Sequence, residues 1–486
     1  MEGSGAPPAS ERPTQPRIGV DEWVASAEER RVRTLGVRLE EALGRVPAPL
    51  KLVALAVPFA AYPLLVDSEY LRQVGIDLLV FCLLVLGLNV TAGWVGILDL
   101  GYVAFFGTGA YLYAAVASEY AGRHWEAQLA LPAIAIVTAC LGFLVGLPSR
   151  RLVGDYLAIV TLFFLQLWLV VVLNAELTRG PNGISDVLPL EFFGREVRSQ
   201  TGNYYLALGV FLAVISALSL LNRSRTGRAW RAIREDELAA ELMTMPVSRL
   251  KLMAFAFGAG IAGLAGAIFA PAQGAIFPTN FDVLVLITVY AMMVLGGAGS
   301  LFGVTAGAVI IVVSLEALRD PEDASWLFYI AVVLAILLLV RPWWRSLAVL
   351  GGTIAFGLVV HEVAARLDPS LVEGVPFGQA RIDELVDSWV LLPADIVGPD
   401  GLPTGALGRV AYLVFVASVL ALTLLRSSRW RTIALVPVLY FAACVWENLL
   451  LAQPAVARFV LMGALLVALM AYRPQGIFGK PRVEIV

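Results

Sequence analysis

Six polar side chains lie inside apolar stretches of this sequence, where an uncompensated polar group is costly. Such residues are rare within membrane spans, and by default they indicate a substrate pathway. They offer the amide, hydroxyl and carboxylate groups that hydrogen-bond a small polar solute. The candidate pathway residues are Asn89, Thr91, Asp99, Thr108, Thr161 and Gln166.

Asp99 allows two interpretations. If Asp99 and Gly101 lie at a break between half-helices, free backbone N–H groups could receive a substrate carboxylate, and Asp99 could receive its ammonium group. Alternatively, Asp99 caps the start of the span that follows it. Serine and threonine likewise often bond back to their own helix. The sequence leaves both interpretations open.

The sequence gives little support for metal binding, catalysis, disulfides or nucleotide binding. His124 and His361 lie far apart, and Cys82, Cys140 and Cys444 are scattered through apolar runs. This spacing argues against a metal site, histidine catalysis or a disulfide framework. The sequence GxxxxGK[ST] does not occur, so the chain does not hold a nucleotide in the P-loop manner, and we expect no cofactor on it. A net charge of -3 argues against nucleic acid as a partner.

Apolar runs long enough to cross a membrane must position these residues. Hydrophobic residues make up 59% of the 486, charged residues only 15%, and the mean hydropathy is +0.81. This composition predicts an all-α, polytopic transmembrane bundle of about fourteen spans, some short enough to be re-entrant. The predicted spans are 50–66, 71–92, 98–117, 129–147, 156–174, 203–222, 250–271, 281–297, 302–318, 326–341, 346–364, 409–425, 432–450 and 457–472.

The connections between spans differ in charge. With a cytoplasmic N-terminus, one side holds most of the lysines and arginines, including Arg150, Arg151 and the stretch 225–250. The positive-inside rule makes that side cytoplasmic. The opposite loops are acidic, as in "RDPEDAS" and "ELVDSWVLLPADIVGPD". We therefore expect both termini in the cytoplasm.

Several Gly-rich and polar motifs occur in a fixed order. Together they resemble the LivM-type permease subunits of branched-chain amino acid ABC importers, whose close relatives carry urea and short amides. The motifs are "LGLNVTAGWVGILDLGYVAFFGTGAYLYA", "GDYLAIVTLFF", "LTRGPNGIS", "GRAWRAIREDELAAELMTM", "GGAGSLFGVTAGA" and "YRPQGIFGK". The resemblance covers roughly residues 50 to 320 and 447 to 480.

The chain departs from that pattern where the substrate would be selected. Asp99 and Tyr102 stand where a serine and a histidine are common, and Leu165 and Gln166 replace a common Gly-Glu pair. Arg179 replaces a frequent glycine in the motif "GGPNGI". The architecture is expected to be intact, and the substrate could be a branched-chain amino acid, urea or an amide.

The resemblance divides the chain into four parts. Residues 1–48 form a polar cytoplasmic tail, and residues 49–320 form the permease core. Residues 321–446 form an inserted segment with about four extra spans and an acidic external loop. Residues 447–486 form the last span and a cytoplasmic tail.

The resemblance also implies partners in the inner membrane. Two cytoplasmic ATPase subunits would use the ATP, and a second permease subunit, LivH-like or another copy, would complete the pore. An external solute-binding protein would dock at Pro181, Asn182 and Gly183. The stretch 225–250 corresponds to the coupling helix that ATPases engage, with Gly227, Arg228, Arg231, Arg234, Glu235, Asp236, Ala239 and Ala240 as its contact residues.

Helical periodicity supports a contact surface in that stretch. A helix would place Ala229, Ala232, Ile233, Ala240 and Met243 on one stripe, interrupted by Asp236. The arginines precede the acidic residues, the order that the helix dipole disfavours, so these charges do not stabilise an isolated helix. The alternative is a solvated loop whose arginines only fix the topology.

Two other functions remain open. An ion-coupled secondary transporter would keep broken helices but use no ATPase. A membrane enzyme would use the acidic loop 365–408 with Asp383, Glu384 and Asp387, although that loop has no clustered histidine or cysteine.

Overall fold

The computed structural model describes residues 48–118, 122–149, 155–340, 342–367, 406–424 and 428–450, with short stretches at 372, 388–391, 458–461, 463, 467 and 476–477. It confirms an all-α membrane protein: eight of its described helices are long and apolar enough to span a membrane. The chain divides into two compact units, Met1–Pro58 and Phe59–Val486, and the second contains the helical bundle.

The helices are numbered in chain order. They are α1 (Ala48–Leu65), α2 (Glu69–Leu88), α3 (Tyr102–Val116), α4 (Ala127–Ser149), α5 (Asp155–Asn174), α6 (Gln200–Arg223), α7 (Arg225–Glu235), α8 (Glu237–Leu242), α9 (Val247–Gln273), α10 (Val283–Gly296), α11 (Leu301–Ala317), α12 (Pro321–Leu339), α13 (Trp343–Leu367), α14 (Ala406–Leu424) and α15 (Ser428–Val445). Two π-helical turns, Asn89–Val95 and Trp446–Leu450, continue α2 and α15.

Each predicted span up to 432–450 has a helix at its position. The predicted span 98–117 begins late, at Tyr102, because Gly96–Gly101 forms a loop instead of helix. Of the last predicted span, 457–472, the structure describes 458–461, 463 and 467, all as helix, and the N-terminal tail up to residue 47 lies outside the described residues. How many helices cross the membrane therefore stays a prediction.

Helices α2 and α9 form the centre of the bundle. In the most apolar stretch of each, 78% and 72% of the residues are buried. Glycines let the backbones approach closely: a Cβ on Gly109 would lie 2.2 Å from the Gly263 carbonyl oxygen, and one on Gly266 would lie 2.1 Å from that of Phe106. Gly263 and Gly266 of "GAGIAGLAGA" therefore let α3 pack against α9, and Gly258 and Gly260 of the same motif face α2 and α4, as small residues do between helices in lipid.

The loops predicted to be external gather at one end of the bundle. The strands β1 (Ala117–Ser118) and β2 (Arg123–His124) pair there, and isolated bridges join Ser118 to Val187 and Ile184 to Ile276. A second hairpin, β3 (Glu191–Phe192) with β4 (Arg195–Glu196), lies in the loop between α5 and α6.

Segments predicted to be cytoplasmic also meet one another. The Ile477 N–H donates to the Leu295 carbonyl at 2.9 Å, which brings the C-terminal motif to the end of α10. Helix α7 packs beside the π-turn that ends α2. This sorting of loops agrees with the predicted alternation of the spans, so the end with the segments predicted to be cytoplasmic is called the inner end and the other the outer end.

The segment predicted to be inserted, 321–446, contains small cores among its described residues. Val390, Tyr440, Ala443 and Cys444 form one cluster, with Trp389 packed against it. A second cluster contains Ala324 and Trp446, and the Trp446 ring stacks on Phe328 with centroids 4.3 Å apart. Only 22% of the most apolar stretch of α13 is buried, so most of that helix faces outward.

Candidate functional site

The π-turn at the inner end of α2 is fixed by a loop 210 residues away in the sequence. The Asn89 Oδ1 accepts a hydrogen bond from the Gly299 N–H at 2.7 Å, and the Trp94 Nε1–H donates to the Gly299 carbonyl at 3.1 Å. A Cβ on Gly93 would lie 1.9 Å from that same Asn89 oxygen and 2.9 Å from the Gly299 backbone nitrogen, so a larger residue there would disturb this hydrogen bond. Single π-turns within α-helices frequently mark functional sites.

The loop that follows, Gly96–Gly101, is held by side chains of two other helices. The Tyr290 hydroxyl accepts from the Asp99 N–H at 2.9 Å and lies 3.0 Å from the Asp99 carbonyl oxygen, to which it can donate. The Leu100 N–H donates to Thr161 Oγ1 at 2.9 Å, and the Gly101 N–H donates to Asp99 Oδ1 at 3.1 Å. These backbone N–H groups are engaged within the chain, and the Asp99 carboxylate binds the N–H next to the start of α3. This bond closes an Asx-type turn within the loop, since the N-cap of α3 is Gly101 and no side chain caps that helix. The geometry therefore supports neither free N–H groups nor a helix cap at Asp99.

The remaining candidate pathway residues do not converge. The Thr91 hydroxyl donates to the Leu88 carbonyl and the Thr108 hydroxyl to the Ala104 carbonyl, each within its own helix. Thr161 is buried and joins α5 to the loop, whereas Gln166 is exposed on α5. The π-turn and the loop after it therefore contain Asn89, Thr91 and Asp99, and Thr161 bonds to that loop. Thr108 lies within α3, and Gln166 is exposed on α5.

Sequence reasoning missed Tyr290 and Trp94. Both carry a polar tip on a large ring, and such tips usually find a hydrogen-bond partner when buried. Tyr290 interrupts the apolar run "LVLITVYAMMVL", which was an available signal. The partner of each lies far away in the sequence, so its role required the fold.

The charge-rich stretch folds as two short helices, α7 and α8, which we call the coupling segment (Arg225–Leu242). The sequence predicts a single helix, and the chain instead breaks at Asp236, which has extended backbone angles. The Asp236 carboxylate accepts the Ala239 N–H at 2.9 Å and so caps α8. Because of the break the predicted stripe is only partly right: Ile233 and Ala240 are buried, and Met243 is 74% exposed.

The inward side of α7 is attached to the bundle. The Trp230 ring is buried, stacks on Trp94 with centroids 6.1 Å apart, and donates from Nε1 to the Leu250 carbonyl at 2.9 Å. The Arg234 guanidinium donates to the Gly93 carbonyl and also contacts that of Ala298 at 3.4 Å. Helix α8 is held by an ion pair of 2.5 Å between Glu237 and the buried Lys251.

The outward side of the segment carries both charge and apolar surface. Arg228, Arg231, Glu235, Asp236 and Ala239 are exposed there. The exposed apolar residues are Leu238 (73%), Leu242 (84%) and Met243 (74%). Gathered apolar residues rimmed by charges are typical of a protein interaction site.

Three predicted contact residues are turned inward. Arg234 is half-buried, and Gly227 and Ala240 are buried. A Cβ on Gly227 would lie 2.4 Å from the Leu221 carbonyl oxygen, so this glycine permits the tight turn from α6 into α7. Gly227 is therefore placed for backbone geometry, not for touching a partner.

The predicted outer docking residues form a compact turn. Pro181 and Asn182 are exposed within a 3-10 turn, Gly180–Asn182. Gly183 is buried, and a Cβ on it would lie 2.2 Å from the Ile276 carbonyl oxygen. Arg179 adopts a left-handed φ of 58°, a conformation that glycine adopts at lower cost.

Comparisons with known proteins find permease proteins of transport systems. The family model described as "Branched-chain amino acid transport system / permease component" matches residues 71–340. The LivM protein of Salmonella typhimurium, named as a high-affinity branched-chain amino acid transport system permease protein, is 37% identical over 321 residues, covering 61% of this chain and 74% of that protein.

Two relatives of lower sequence identity are a sugar permease and a second kind of branched-chain amino acid permease. The fructose import permease protein FrcC of Rhizobium meliloti is 24% identical over 65% of this chain and 91% of its own length. LivH of Salmonella typhimurium is 28% identical over 40% of this chain and 66% of its own length. No solved structure matches the chain significantly.

Proposed function

Because the chain belongs to the branched-chain amino acid transport system permease family, we propose that it is the permease subunit of an ATP-driven importer of branched-chain or related amino acids. It is a multi-pass protein of the inner membrane and acts as a transporter subunit rather than an enzyme. Family membership favours this function over an ion-coupled secondary transporter.

The coupling segment is the observation on which the mechanism rests. Its outward side presents charged and apolar residues, and its inward side is bonded to the π-turn of α2. Movement of a partner bound to the outward side would therefore reach the helices around the candidate pathway. Alternating access follows if ATP-driven closure of two partner ATPases shifts this segment and tilts those helices.

Further partners complete the transport cycle. An external solute-binding protein would deliver the solute at the outer turn of Pro181, Asn182 and Gly183. A second permease subunit, LivH-like or another copy of this chain, would supply the other half of the pore. The LivM and LivH relatives support a LivH-like partner, because both are named as permease proteins of high-affinity branched-chain amino acid transport systems.

The substrate within this class is tested through the predicted solute-binding protein, sought among the genes beside the one that encodes this chain. Its thermal midpoint would be measured with leucine, valine, urea, acetamide and fructose. A shift with leucine or valine alone supports the amino acid assignment. A shift with fructose alone would contradict it and align the chain with its sugar-transporting relative.

Energy coupling is tested in proteoliposomes that contain this chain and its co-purified partners. We expect solute uptake to require ATP and the binding protein. Uptake driven by a sodium or proton gradient without ATP would contradict the proposal and support the ion-coupled transporter.

A further inference from the structure

Arg234 differs from the other arginines of α7 in the direction it faces. Residues three apart on an α-helix are offset by about 60° around its axis, so Arg234 is rotated by about 120° from Arg228. Arg228 and Arg231 are exposed on the outward side, and Arg234 is half-buried on the inward side. An arginine turned into a protein interior makes contacts that compensate for lost hydration.

Two parts of the inner end accommodate this side chain. The Arg234 guanidinium donates to the Gly93 carbonyl in the π-turn and contacts that of Ala298, between α10 and α11, at 3.4 Å. A Cβ on Gly96 would lie 3.1 Å from Arg234 Cγ, and one on Gly299 would lie 2.6 Å from Nη1. Two glycines distant in sequence therefore leave the space that one arginine occupies.

The same two parts are also joined to each other, because Asn89 and Trp94 of the π-turn both bond to Gly299. We call this assembly, Asn89–Gly101 with Gly297–Ser300, the inner junction. Arg234 connects the inner junction to the coupling segment. A shift of α7 must therefore change the contacts that Arg234 makes with the Gly93 and Ala298 carbonyls.

We propose that Arg234 is a positioning residue that transmits movement of the coupling segment to the inner junction and so opens and closes the inner end of the pathway. This inference rests on the proposed function, because it presupposes an ATPase that moves the segment. It assigns Arg234 to the inside of the permease, and it assigns ATPase contact to the exposed side chains of α7 and α8.

The chemistry of the contact predicts which substitutions matter. Both contacts come from one nitrogen, Nη1, which the planar guanidinium holds in a fixed direction. Lysine keeps the charge and carries three donors on a single rotating nitrogen, so it can keep part of this bridge, whereas glutamine is neutral and shorter. We therefore expect Arg234→Lys to retain part of the effect and Arg234→Gln to lose most of it.

The test uses the complete complex in proteoliposomes, with ATP hydrolysis and solute uptake measured in the same vesicles. In Arg234→Gln we expect uptake to fall about tenfold or more, the loss expected for hydrogen bonds to a charged group, while hydrolysis stays within about twofold of the wild type. Arg234→Lys should be intermediate in the ratio of ATP hydrolysed to solute transported. That ratio distinguishes transmission from folding, because a folding defect lowers both activities in proportion.

Arg231→Gln, on the outward side of the same helix, is the matched control. Because Arg231 belongs to the proposed ATPase contact, we expect hydrolysis and uptake to fall together in this variant, with an unchanged ratio. An Arg234→Gln variant with the same unchanged ratio, or with normal uptake, would overturn the inference. Failure of both Arg234 variants to assemble, with normal assembly of Arg231→Gln, would assign Arg234 a structural role and also overturn it. A wild-type complex without ATP-dependent uptake would instead contradict the proposed function.

Discussion

Helices α7 and α8 come from one charge-rich stretch, yet they relate to the bundle in opposite ways. Helix α7 turns a tryptophan and an arginine inward, where Trp230 is buried and Arg234 is half-buried. Helix α8 leaves Leu238 and Leu242 largely exposed. A half-buried arginine beside exposed leucines reverses the usual preference of these residues. The reversal indicates that α7 supplies most of the attachment to the core and α8 most of the exposed apolar surface for a partner.

The largest effect is expected from removing the attachment. Trp230→Ala deletes a buried ring that stacks on Trp94 and bonds the Leu250 carbonyl. Truncations of buried tryptophan cost about 3–5 kcal/mol, so we expect a clear fall in the thermal unfolding midpoint in detergent. Trp230→Phe keeps an aromatic ring and should lose less. Equal stability of Trp230→Ala and the wild type would show that α7 is not attached through this residue.

The exposed apolar surface of α8 is tested by a double variant that carries both Leu238→Asp and Leu242→Asp. Both side chains are exposed, so the thermal midpoint should change little, because such surface substitutions usually alter stability by about 0.5 kcal/mol or less. Loss of apolar contacts at an interface centre costs about 2 kcal/mol or more, so the amount of ATPase subunit that co-purifies with a tagged chain should fall strongly.

Leu177→Asp is the control for that experiment. Leu177 is 75% exposed but lies in the outer 3-10 turn Glu176–Thr178. ATPase retention should be normal in this variant. Equal retention in the double α8 variant and the Leu177 variant would remove α8 from the contact.

A smaller effect is expected at the turn that orients α7. An alanine at Gly227 would bring its Cβ within 2.4 Å of the Leu221 carbonyl oxygen, so backbone must shift. Overpacking of this kind costs about 1–3 kcal/mol, and we expect a lower thermal midpoint with reduced uptake. Gly209→Ala is the matched control, since a Cβ there meets nothing within 4 Å. If the Gly227 and Gly209 variants behave alike, the turn does not constrain α7.

The smallest effect is expected on the outer side. Arg179→Gly relieves a left-handed conformation with φ of 58°, which costs a non-glycine residue about 1 kcal/mol. We expect a slightly higher thermal midpoint and an unchanged ratio of ATP hydrolysed to solute transported. A changed ratio would extend the coupling path beyond the inner end of the molecule.

Helix positions could be predicted because apolar runs of spanning length determine them locally. The π-turn Asn89–Val95 could not, because "NVTAGWV" continues an apolar run and its shape depends on Gly299. The break at Asp236 had a local signal, since aspartate favours helix N-caps, but the expected stripe continued across it. The direction of Arg234 had none: charge alone predicts a surface position, and only the space beside Gly96 and Gly299 accounts for its burial.

The central claim is that the exposed side of the coupling segment contacts an ATPase, and photo-crosslinking tests it directly. A photoreactive phenylalanine analogue would replace Leu242, which is 84% exposed on α8, in the complete complex in native membranes. We predict an adduct between this chain and a subunit that mass spectrometry identifies as a P-loop ATPase, with none from the same probe at Leu177. An assembled, transporting complex that yields no ATPase adduct from position 242 would contradict the account.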